Sequence, residues 1–261
     1  MLDVDAVPVS AFGLADDLEP FHSDWHQHRR HQILYASGGV IELRVGDRRW
    51  LLPPQKAAWI TADVLHTASS RTGALLRTVY LDPALVTRGP TWQCRVFAVT
   101  PLAREMLLGA MRWGPEGARD EPLATAYFTA LGGLAREWAE DDLGLHLPVS
   151  RTPELERAMQ WALDHLDEPI SLEGAARAAR SSVRTLARRF EEEAQTTWRA
   201  YVQTARMIRA MERLGEPDTR VTDVAFSVGF RSHGAFSEAF RAFVGETPTA
   251  YRTRALARRS G

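Results

Sequence analysis

Short segments in which polar and apolar residues alternate fill the first hundred residues of the chain. In VIELRV (40–45) the apolar side chains fall on one face of an extended strand and the charged side chains fall on the other. Gly46 and Asp47 offer a two-residue turn into the next segment, RRWLL. AAWI, LHTAS and LLRTVYL follow at the spacing that is typical of an antiparallel barrel or sandwich. The pattern predicts a mostly β domain over residues 1–100.

After Pro101 the apolar period becomes that of a helix, which predicts a helical segment over residues 101–145. One helix face carries an apolar stripe, which consists of Tyr127, Leu131, Leu134, Ala135 and Trp138. The sequence leaves two interpretations open. The apolar residues of these helices pack on the barrel of their own chain, or they form the interface of a homodimer; the residues concerned are Met106, Leu107, Leu131, Leu134 and Trp138.

Two prolines mark a connection between domains in DLGLHLPVSRTP (142–153), and we place this linker at residues 146–153. From residue 154 to residue 261 nearly every segment has a helical pattern. The sequence therefore predicts an α+β protein of two domains, in which a β-barrel with a helical segment precedes an all-α domain.

A helical unit occurs twice in the last hundred residues, at an offset of 50 positions. In TDVAFSVGFRSHGAF (222–236), Gly229 ends one helix and Ser232 precedes the next. The matched pairs are Ala175 with Ala225, Ser182 with Ser232, Leu186 with Phe236, Phe190 with Phe240, and Tyr201 with Tyr251. A small alanine where two helices cross, a tight turn and a serine that caps the next helix are features of a helix-turn-helix unit. The repeat predicts two such units.

The second helix of the first unit carries Arg184 and Arg188, which stand four residues apart on its exposed face. Arginine on such a face can donate two hydrogen bonds to guanine in the major groove of DNA. Between the units, WRAYVQTARMIRAMERL (198–214) contains no Gly or Pro and predicts one helix about 26 Å long. A rigid spacer of this length would let two recognition helices enter successive major grooves, about 34 Å apart.

The charge distribution agrees with a polyanionic partner. Residues 151–261 hold 18 Arg and no Lys against 15 Asp and Glu, a net charge of +3, whereas residues 1–150 have a net charge of -4. Four arginines in 180–189 have no acidic residue among them. A solvated helix face would give the same pattern, so charge supports DNA as a partner without requiring it.

Composition narrows the class and the compartment. With 45% hydrophobic and 25% charged residues, the chain is typical of a globular protein. Cys94 is the single cysteine, and MLDVDAVPVS lacks the basic and apolar regions of a signal peptide. Charged residues interrupt every apolar stretch before the 18 or so residues that a membrane span needs. We predict a cytoplasmic protein that does not bind a membrane.

Residues 155–252 resemble the DNA-binding domain of the AraC/XylS family of bacterial transcription regulators. The matching segments are SLEGAARAARSSVRTLARRF, ARMIRAMERL and VTDVAFSVGFRSHGAFSEAFRAFVGETPTAY. The last segment contains the patterns A-x-x-x-G-F-x-S-x-x-x-F-x-x-x-F and G-x-T-P-x-x-Y. The resemblance implies double-stranded DNA as a partner, with RNA polymerase as a further one. The DNA contacts that it implies come from Ser182, Arg184, Thr185, Arg188, Arg231, His233, Gly234, Ser237, Glu238 and Arg241.

Glu238 departs from the family pattern, in which a long polar or basic residue commonly stands at this position. It accepts a hydrogen bond from a cytosine amine, or its helix mainly contacts the DNA backbone. Because the first unit offers Arg184 and Arg188 where the second offers Gly234 and Glu238, we expect the first unit to dominate sequence preference.

The N-terminal half resembles the cupin barrel that serves as the sensor in many such regulators. Metal-binding cupins bring two His of an H-x-H motif, a Glu about four residues later and a third His from a later strand to one ion. Here His26, His28 and His66 match, and Gln32 stands in the Glu position. Three histidines suit a divalent ion such as Zn, Ni, Fe or Mn. The alternative is that they line a pocket or hydrogen-bond among themselves.

Four aromatic residues are candidates for an apolar ligand pocket, with ordinary core packing as the alternative. They are Trp25, Tyr35, Trp50 and Trp59. We expect His22 and His31 at the surface or at the rim of the barrel.

Further segments are similar to a subgroup of these regulators in which a short cupin precedes a helical segment: PPQKAAWI, HTASS, RTVYLDP and CRVFAVTPLAREMLLGAM. The resemblance implies a transcription regulator that responds to a small-molecule effector in the barrel and controls a neighbouring transporter gene. The alternative is a metal-dependent cupin enzyme, a dioxygenase or isomerase, with an appended helical domain. Gln32 in place of Glu weakens that alternative, and two helix-turn-helix units have no role in an enzyme. We therefore predict a protein that is not an enzyme.

Overall fold

The computed structural model describes residues 2–46, 48–52, 56–70, 73–87, 89–116, 121–141, 146–148, 150, 152–216 and 218–257. The described chain forms two compact units. The first holds the residues up to 141 except Arg48 and Arg49, which belong with the second unit, residues 146–257. The predicted α+β class with two domains is confirmed.

Two antiparallel sheets make up most of the first unit. Their strands are β1 (Ala11–Leu18), β2 (Phe21–His22), β3 (His31–Gly39), β4 (Ile41–Val45), β5 (Arg48–Leu52), β6 (Lys56–Ile60), β7 (His66–Ser70), β8 (Ala74–Leu81) and β9 (Cys94–Ala98). The first sheet has the order β1-β8-β3-β6-β9, and the second sheet places β5, β4, β7 and β2 side by side. This is the β-rich, cupin-like half that the sequence predicts.

The alternation predicted for VIELRV is confirmed in β4. Its apolar side chains, Ile41, Leu43 and Val45, are buried. Between them, Glu42 and Arg44 form an ion pair of 2.8 Å on the opposite face. Gly46 follows with a φ of +56°, a left-handed conformation that glycine adopts without steric cost. Asp47, the other residue of the predicted turn, lies outside the described residues.

Two helices, α1 (Pro101–Gly109) and α2 (Pro122–Glu140), pack on the first sheet. Leu131 and Ala135 of the predicted apolar stripe are fully buried in one core cluster with Ile33 and Trp59 of the sheet. Tyr127 and Trp138 of the stripe are partly buried against the same cluster. Residues of the stripe thus pack on the barrel of their own chain, as the first of the two interpretations has it.

The described part of the second unit is helical apart from the short strand β10 (His146–Pro148). Its helices are α3 (Pro153–Asp164), α4 (Leu172–Ala178), α5 (Val183–Glu192), α6 (Trp198–Leu214), α7 (Val221–Ser227), α8 (His233–Val244) and α9 (Pro248–Ala257). Within the linker predicted at 146–153, residues 146–148 form β10, and the apolar side chain of Leu147 is buried there. Residues 149 and 151 lie outside the described residues.

The predicted repeat is confirmed in the packing of the second unit. Ala175 and Ala225 are fully buried. In the first copy the rings of Phe190 and Tyr201 have centroids 5.6 Å apart, and the matching rings of the second copy, Phe240 and Tyr251, are also 5.6 Å apart. Helix α6 spans the 17 residues predicted for it. The two copies therefore have equivalent cores on either side of one connecting helix.

Serine caps begin both recognition helices, as the sequence predicts. Ser182 Oγ accepts a hydrogen bond of 3.1 Å from the Thr185 amide at the start of α5. Ser232 Oγ accepts one of 3.2 Å from the Ala235 amide at the start of α8. A cap of this kind is typically worth about 1 kcal/mol, because it satisfies an amide that the helix leaves without a partner.

Candidate nucleic-acid interface and candidate metal centre

The outer face of α5 presents the two arginines that the sequence singled out. Arg184 and Arg188 are exposed, one helical turn apart. Among the described residues no carboxylate pairs with Arg184. Ser182, also predicted as a DNA contact, uses its hydroxyl oxygen as the helix cap and lies 2.8 Å from the hydroxyl of Thr185. The predicted DNA-contacting residues of the first helix-turn-helix unit thus lie together at the start of one exposed helix face.

Arg188 forms an ion pair within its own helix. Its Nη1 lies 2.8 Å from Oε2 of Glu192, and both side chains are more than half exposed. A pair of this kind, four residues apart on a helix surface, is worth only about 0.3–0.5 kcal/mol. Glu192 therefore orients the guanidinium in the free protein without preventing its transfer to another acceptor.

The inner side of α5 is anchored to α3 and to the residues before it. Arg189 Nη1 lies 2.8 Å from Oε2 of Glu154, the second residue of α3. Thr152 donates its hydroxyl hydrogen to the carboxylate of Glu193, at 3.1 Å from Oε2. These contacts fix the rotation of α5 about its axis, so Arg184 and Arg188 point away from the core.

In the second helix-turn-helix unit, α8 presents a different face. Arg231, His233, Gly234, Glu238 and Arg241 are exposed, and Ser237 is half-buried. A Cβ built on Gly234 would meet none of the described atoms within 4 Å, so the surface is open there. The predicted residues again share one side of the helix start. Of the two central positions, however, Gly234 offers no side chain and Glu238 offers a carboxylate.

Three histidines of the N-terminal domain converge, as the H-x-H motif predicts. The backbones of His26 and His66 pair in an isolated antiparallel bridge, which places their ring centroids 4.3 Å apart. The ring of His28 lies 5.2 Å from that of His66. One ring nitrogen from each of the three histidines lies within 4.8 Å of the other two. The fold thus brings together a segment before β3 and the start of β7.

Hydrogen bonds set the tautomer of all three imidazoles. Nδ1 of His26 contacts the Asp24 carbonyl at 2.8 Å, Nδ1 of His28 the Arg30 carbonyl at 2.9 Å, and Nδ1 of His66 the Val64 carbonyl at 2.8 Å. A carbonyl oxygen only accepts, so each Nδ1 must carry the hydrogen and donate it. In the neutral rings the three Nε2 atoms then hold the lone pairs, and a metal ion binds a lone pair.

Burial favours the neutral form of two of the three rings, His28 and His66. It lowers the pKa of His66 from its ordinary value of 6.5 to about 4. It also lowers the pKa of His28. The Nε2 of His66 is buried with no hydrogen-bond partner among the described residues. An unsatisfied buried acceptor costs stability, and a bound cation is one group that can satisfy it.

Gln32 and Tyr80 complete the surroundings of the histidines. The side-chain amide of Gln32 lies 3.2 Å from Nε2 of His28 and donates to its lone pair when the NH2 group is turned toward the ring, so the residue in the Glu position does reach the cluster. The ring of Tyr80 meets the ring of His28 edge-on at 5.3 Å. The sequence reasoning missed Tyr80, although alternation along LLRTVYL places it on the same strand face as Thr78. Burial raises the pKa of Tyr80 well above its ordinary value, which keeps the phenol neutral.

Three of the four aromatic residues that are candidates for a pocket or for the core are buried. Tyr35 and Trp59 are buried in the core between the first sheet and the helices, and the ring of Trp59 lies 5.3 Å from that of His31. Trp50 is buried and Trp25 is about half exposed. His22 is exposed as predicted, but the prediction for His31 is wrong, because it is buried and its Nδ1 accepts a hydrogen bond from the Ala62 amide.

Comparison with known proteins matches both halves. Residues 175–254 match the family model described as a helix-turn-helix domain, and residues 8–131 match the AraC-like ligand binding domain. The chain is 30% identical to the HTH-type transcriptional regulator NimR of Escherichia coli (strain K12), over 92% of this chain and 86% of that protein. It is 36% identical to the XylDLEGF operon transcriptional activator 3 of Pseudomonas putida, over 55% of this chain and 44% of that protein.

A solved structure is similar over the C-terminal part. The DNA-binding domain of AdpA, the global transcriptional factor, in complex with a target DNA is 36% identical to this chain, covers 42% of it and 98% of that domain, and has a TM-score of 0.39.

Fold and site together define a two-domain protein that joins a β-rich ligand-binding domain to a tandem helix-turn-helix domain. The chain belongs to the AraC family of transcription regulators and is a DNA-binding regulator. Its relatives are transcription regulators, so the alternative of a cupin enzyme has no support from them. Among the described helices, none is both long and apolar enough to cross a membrane.

Proposed function

We propose that this regulator reads specific DNA sequences with α5 and α8 and changes its DNA binding when a small-molecule effector binds the N-terminal domain. The observation that carries the proposal is the pair of exposed, capped helix starts in equivalent positions of a repeated unit. The match of residues 8–131 to a ligand-binding domain supports the effector.

The two helices have different parts in this proposal. Arg184 and Arg188 of α5 can each make a bidentate contact with guanine, which is worth about 1–3 kcal/mol of discrimination. On α8, Gly234 lets the backbone approach DNA closely, and Arg231 and Arg241 suit phosphate contacts, which position a protein without reading sequence. Base readout is therefore proposed mainly for α5.

Binding-site selection with the full-length protein tests this function. Random duplex DNA is enriched over several rounds, and the affinity of the recovered site and of scrambled DNA is measured at one salt concentration, because phosphate contacts make affinity salt-dependent. The proposal expects a recovered motif with two blocks of preferred bases about one helical turn apart. Enrichment without any motif would contradict sequence-specific binding.

We further propose that His26, His28 and His66 hold a divalent transition metal ion. The residues fit such an ion, since one ring nitrogen from each of three histidines lies within 4.8 Å of the other two, and the buried Nε2 of His66 has no hydrogen-bond partner among the described residues. Gln32 beside His28 adds a neutral oxygen donor. Zn, Ni, Fe and Mn all accept imidazole ligands. When bound, the ion would supply a positive charge and an open position for an effector atom.

Elemental analysis of the full-length protein tests the metal. Protein purified without chelator should contain close to one divalent ion per chain, and His26→Ala, which changes the least buried of the three rings, should lose it. His22→Ala is the matched control, because His22 is an exposed histidine of the same domain. Absence of metal in the wild type, together with a melting temperature that added Zn, Ni, Fe or Mn ions leave unchanged, would refute the proposal.

Four predictions go further than this regulator activity: a homodimer, contact with RNA polymerase, control of a neighbouring transporter gene, and a cytoplasmic location. Mass photometry of the full chain with and without its selected DNA tests the dimer, and transcript levels in a deletion strain test the target gene.

A further inference from the structure

Arg206 lies in the middle of α6, between the two helix-turn-helix units. Its Nη2 donates a hydrogen bond of 2.8 Å to the carbonyl oxygen of Glu168, in the turn between α3 and α4. That turn belongs to the first half of the DNA-binding domain. The side chain thus extends from the connecting helix to the backbone of the first helix-turn-helix unit.

The same guanidinium also touches the second helix-turn-helix unit. Gly229, in the turn between α7 and α8, has a φ of +79°. A Cβ at Gly229 would lie 2.4 Å from Nη2 of Arg206 and 2.5 Å from the carbonyl oxygen of Leu166. The turn of the second unit therefore packs directly against the guanidinium and against the α3–α4 turn, with no room for a side chain.

Burial of the Arg206 guanidinium at this place costs free energy. Its Nε is buried with no hydrogen-bond partner among the described residues. Burial also lowers the pKa of the guanidinium from its ordinary value, although an arginine remains charged. A leucine or methionine would fill the same volume without burying a donor that lacks a partner. The group that spans two turns is therefore more than a filler of the core.

We propose that Arg206 is a positioning residue that holds the two helix-turn-helix units at one separation and orientation, and so sets the spacing of the DNA sites they bind together. The proposal rests on the proposed function, in which both units contact DNA. Helix α6 packs into both units, with Tyr201 against Phe190 in the first, and the turns at Glu168 and Gly229 meet at the guanidinium of Arg206. A planar group that contacts the backbone of both units removes the remaining freedom.

A rigid pair binds with high effective concentration, but only where the spacing of the two sites matches it. In a loosened pair each unit keeps its own contacts, whereas the penalty for wrong spacing becomes smaller and the affinity for correct spacing falls. Loss of a merely structural contact would instead lower affinity for all spacings alike. The dependence of affinity on spacing therefore separates the two roles.

The experiment uses the full-length protein and the duplex recovered by selection, with insertions of about 5 or about 10 base pairs, a half and a whole helical turn, between its two blocks. For the wild type, the half-turn insertion should weaken binding roughly 100-fold. For Arg206→Met, which keeps the apolar stem, we expect this penalty to fall to roughly tenfold or less, with unchanged affinity for a duplex that contains one block. Arg209→Met is the matched control, since Arg209 lies on the same helix and pairs with nearby Glu212.

Arg206→Lys provides a second variant in case the methionine variant unfolds, as judged by circular dichroism. Lysine keeps the charge but lacks the planar fork that contacts both turns, so it should also reduce the penalty. If folded Arg206→Met or Arg206→Lys keeps the wild-type penalty, the inference is overturned. If the wild type itself shows no dependence on spacing, the proposed reading by two units fails instead.

Discussion

Replacing Arg188 with alanine is expected to weaken binding to the selected DNA site roughly tenfold and to relax the preference at one or two base pairs. Arg188 is exposed on the outer face of α5, so its removal leaves no cavity and should not change the melting temperature measurably. The expected effect is therefore on binding alone.

The magnitude follows from two terms of opposite sign. A bidentate contact between arginine and guanine contributes about 1–3 kcal/mol. The ion pair with Glu192, at 2.8 Å between exposed groups, has to be given up and offsets about 0.3–0.5 kcal/mol of that gain. The net loss of roughly 0.5–2.7 kcal/mol corresponds to about 2-fold to 100-fold in affinity, with tenfold near the middle.

Fluorescence anisotropy with the full-length protein and labelled duplexes measures the effect at fixed salt, on the selected site and on its single-base variants. Arg136→Ala is the matched control. Arg136 forms an ion pair of the same spacing with Glu140, at 3.0 Å, on a helix of the N-terminal domain. The control loses the same charge and the same kind of pair, so any difference belongs to the position on α5.

Two outcomes would refute the reasoning. The first is a selection with Arg188→Ala that recovers the wild-type motif unchanged at every position. The second concerns Glu192→Gln, which frees the guanidinium and should tighten binding more than Glu191→Gln does, although both remove one negative charge from the same helix end. Equal effects of the two glutamine variants would show that the ion pair does not restrain Arg188.

Three further predictions concern α8, the repeat and the histidines. Glu238→Ala should tighten binding to every DNA if the carboxylate faces phosphates and should cost affinity only at the selected site if it accepts from cytosine, as anisotropy on both DNAs will show. Gln195 has a φ of +51° where the second copy has Gly245 at +87°, so Gln195→Gly should raise stability by up to about 1 kcal/mol in a denaturant titration. Chelator-treated protein should lose stability as the pH falls from 6.5 toward 4, because His66 gains a proton in the unfolded chain first, and His66→Asn should flatten that part of the thermal profile.

Local signals explain what could be predicted from the sequence. The caps at Ser182 and Ser232, the bounds of α6 and the buried alanines of the repeat depend on residues that lie within a few positions of one another. Two copies of one pattern strengthen each other, because the same interpretation must fit both. The helical half was therefore readable almost residue by residue.

The β half shows where alternation stops being informative. Nearly every residue of β3 and all of β6 are buried on both faces, since the first sheet is covered by helices on one side. Alternation shows that Tyr35 and His31 share a face, but it does not say which face turns toward the helices. That is why the aromatic residues were expected in a pocket and His31 at the rim.

The histidine cluster could be predicted from the sequence only in part. The H-x-H motif puts His26 and His28 close together, but only the backbone bridge between residues distant in sequence brings His66 to them. Tyr80 and Arg206 act through contacts of the same long-range kind. No property of their own segments distinguishes such residues from ordinary core or surface positions.

The difference between the two recognition helices implies a division of labour in DNA binding. Along the exposed stripe of α5, Arg184, Arg188 and Glu192 sum to a charge of +1, whereas Glu238 gives the equivalent stripe of α8 a charge of -1. Attraction to DNA therefore favours base contacts by α5, whereas α8 is attracted to the phosphates through Arg231 and Arg241. A base change should then cost affinity mainly through α5, and a change of spacing should cost it mainly through α8.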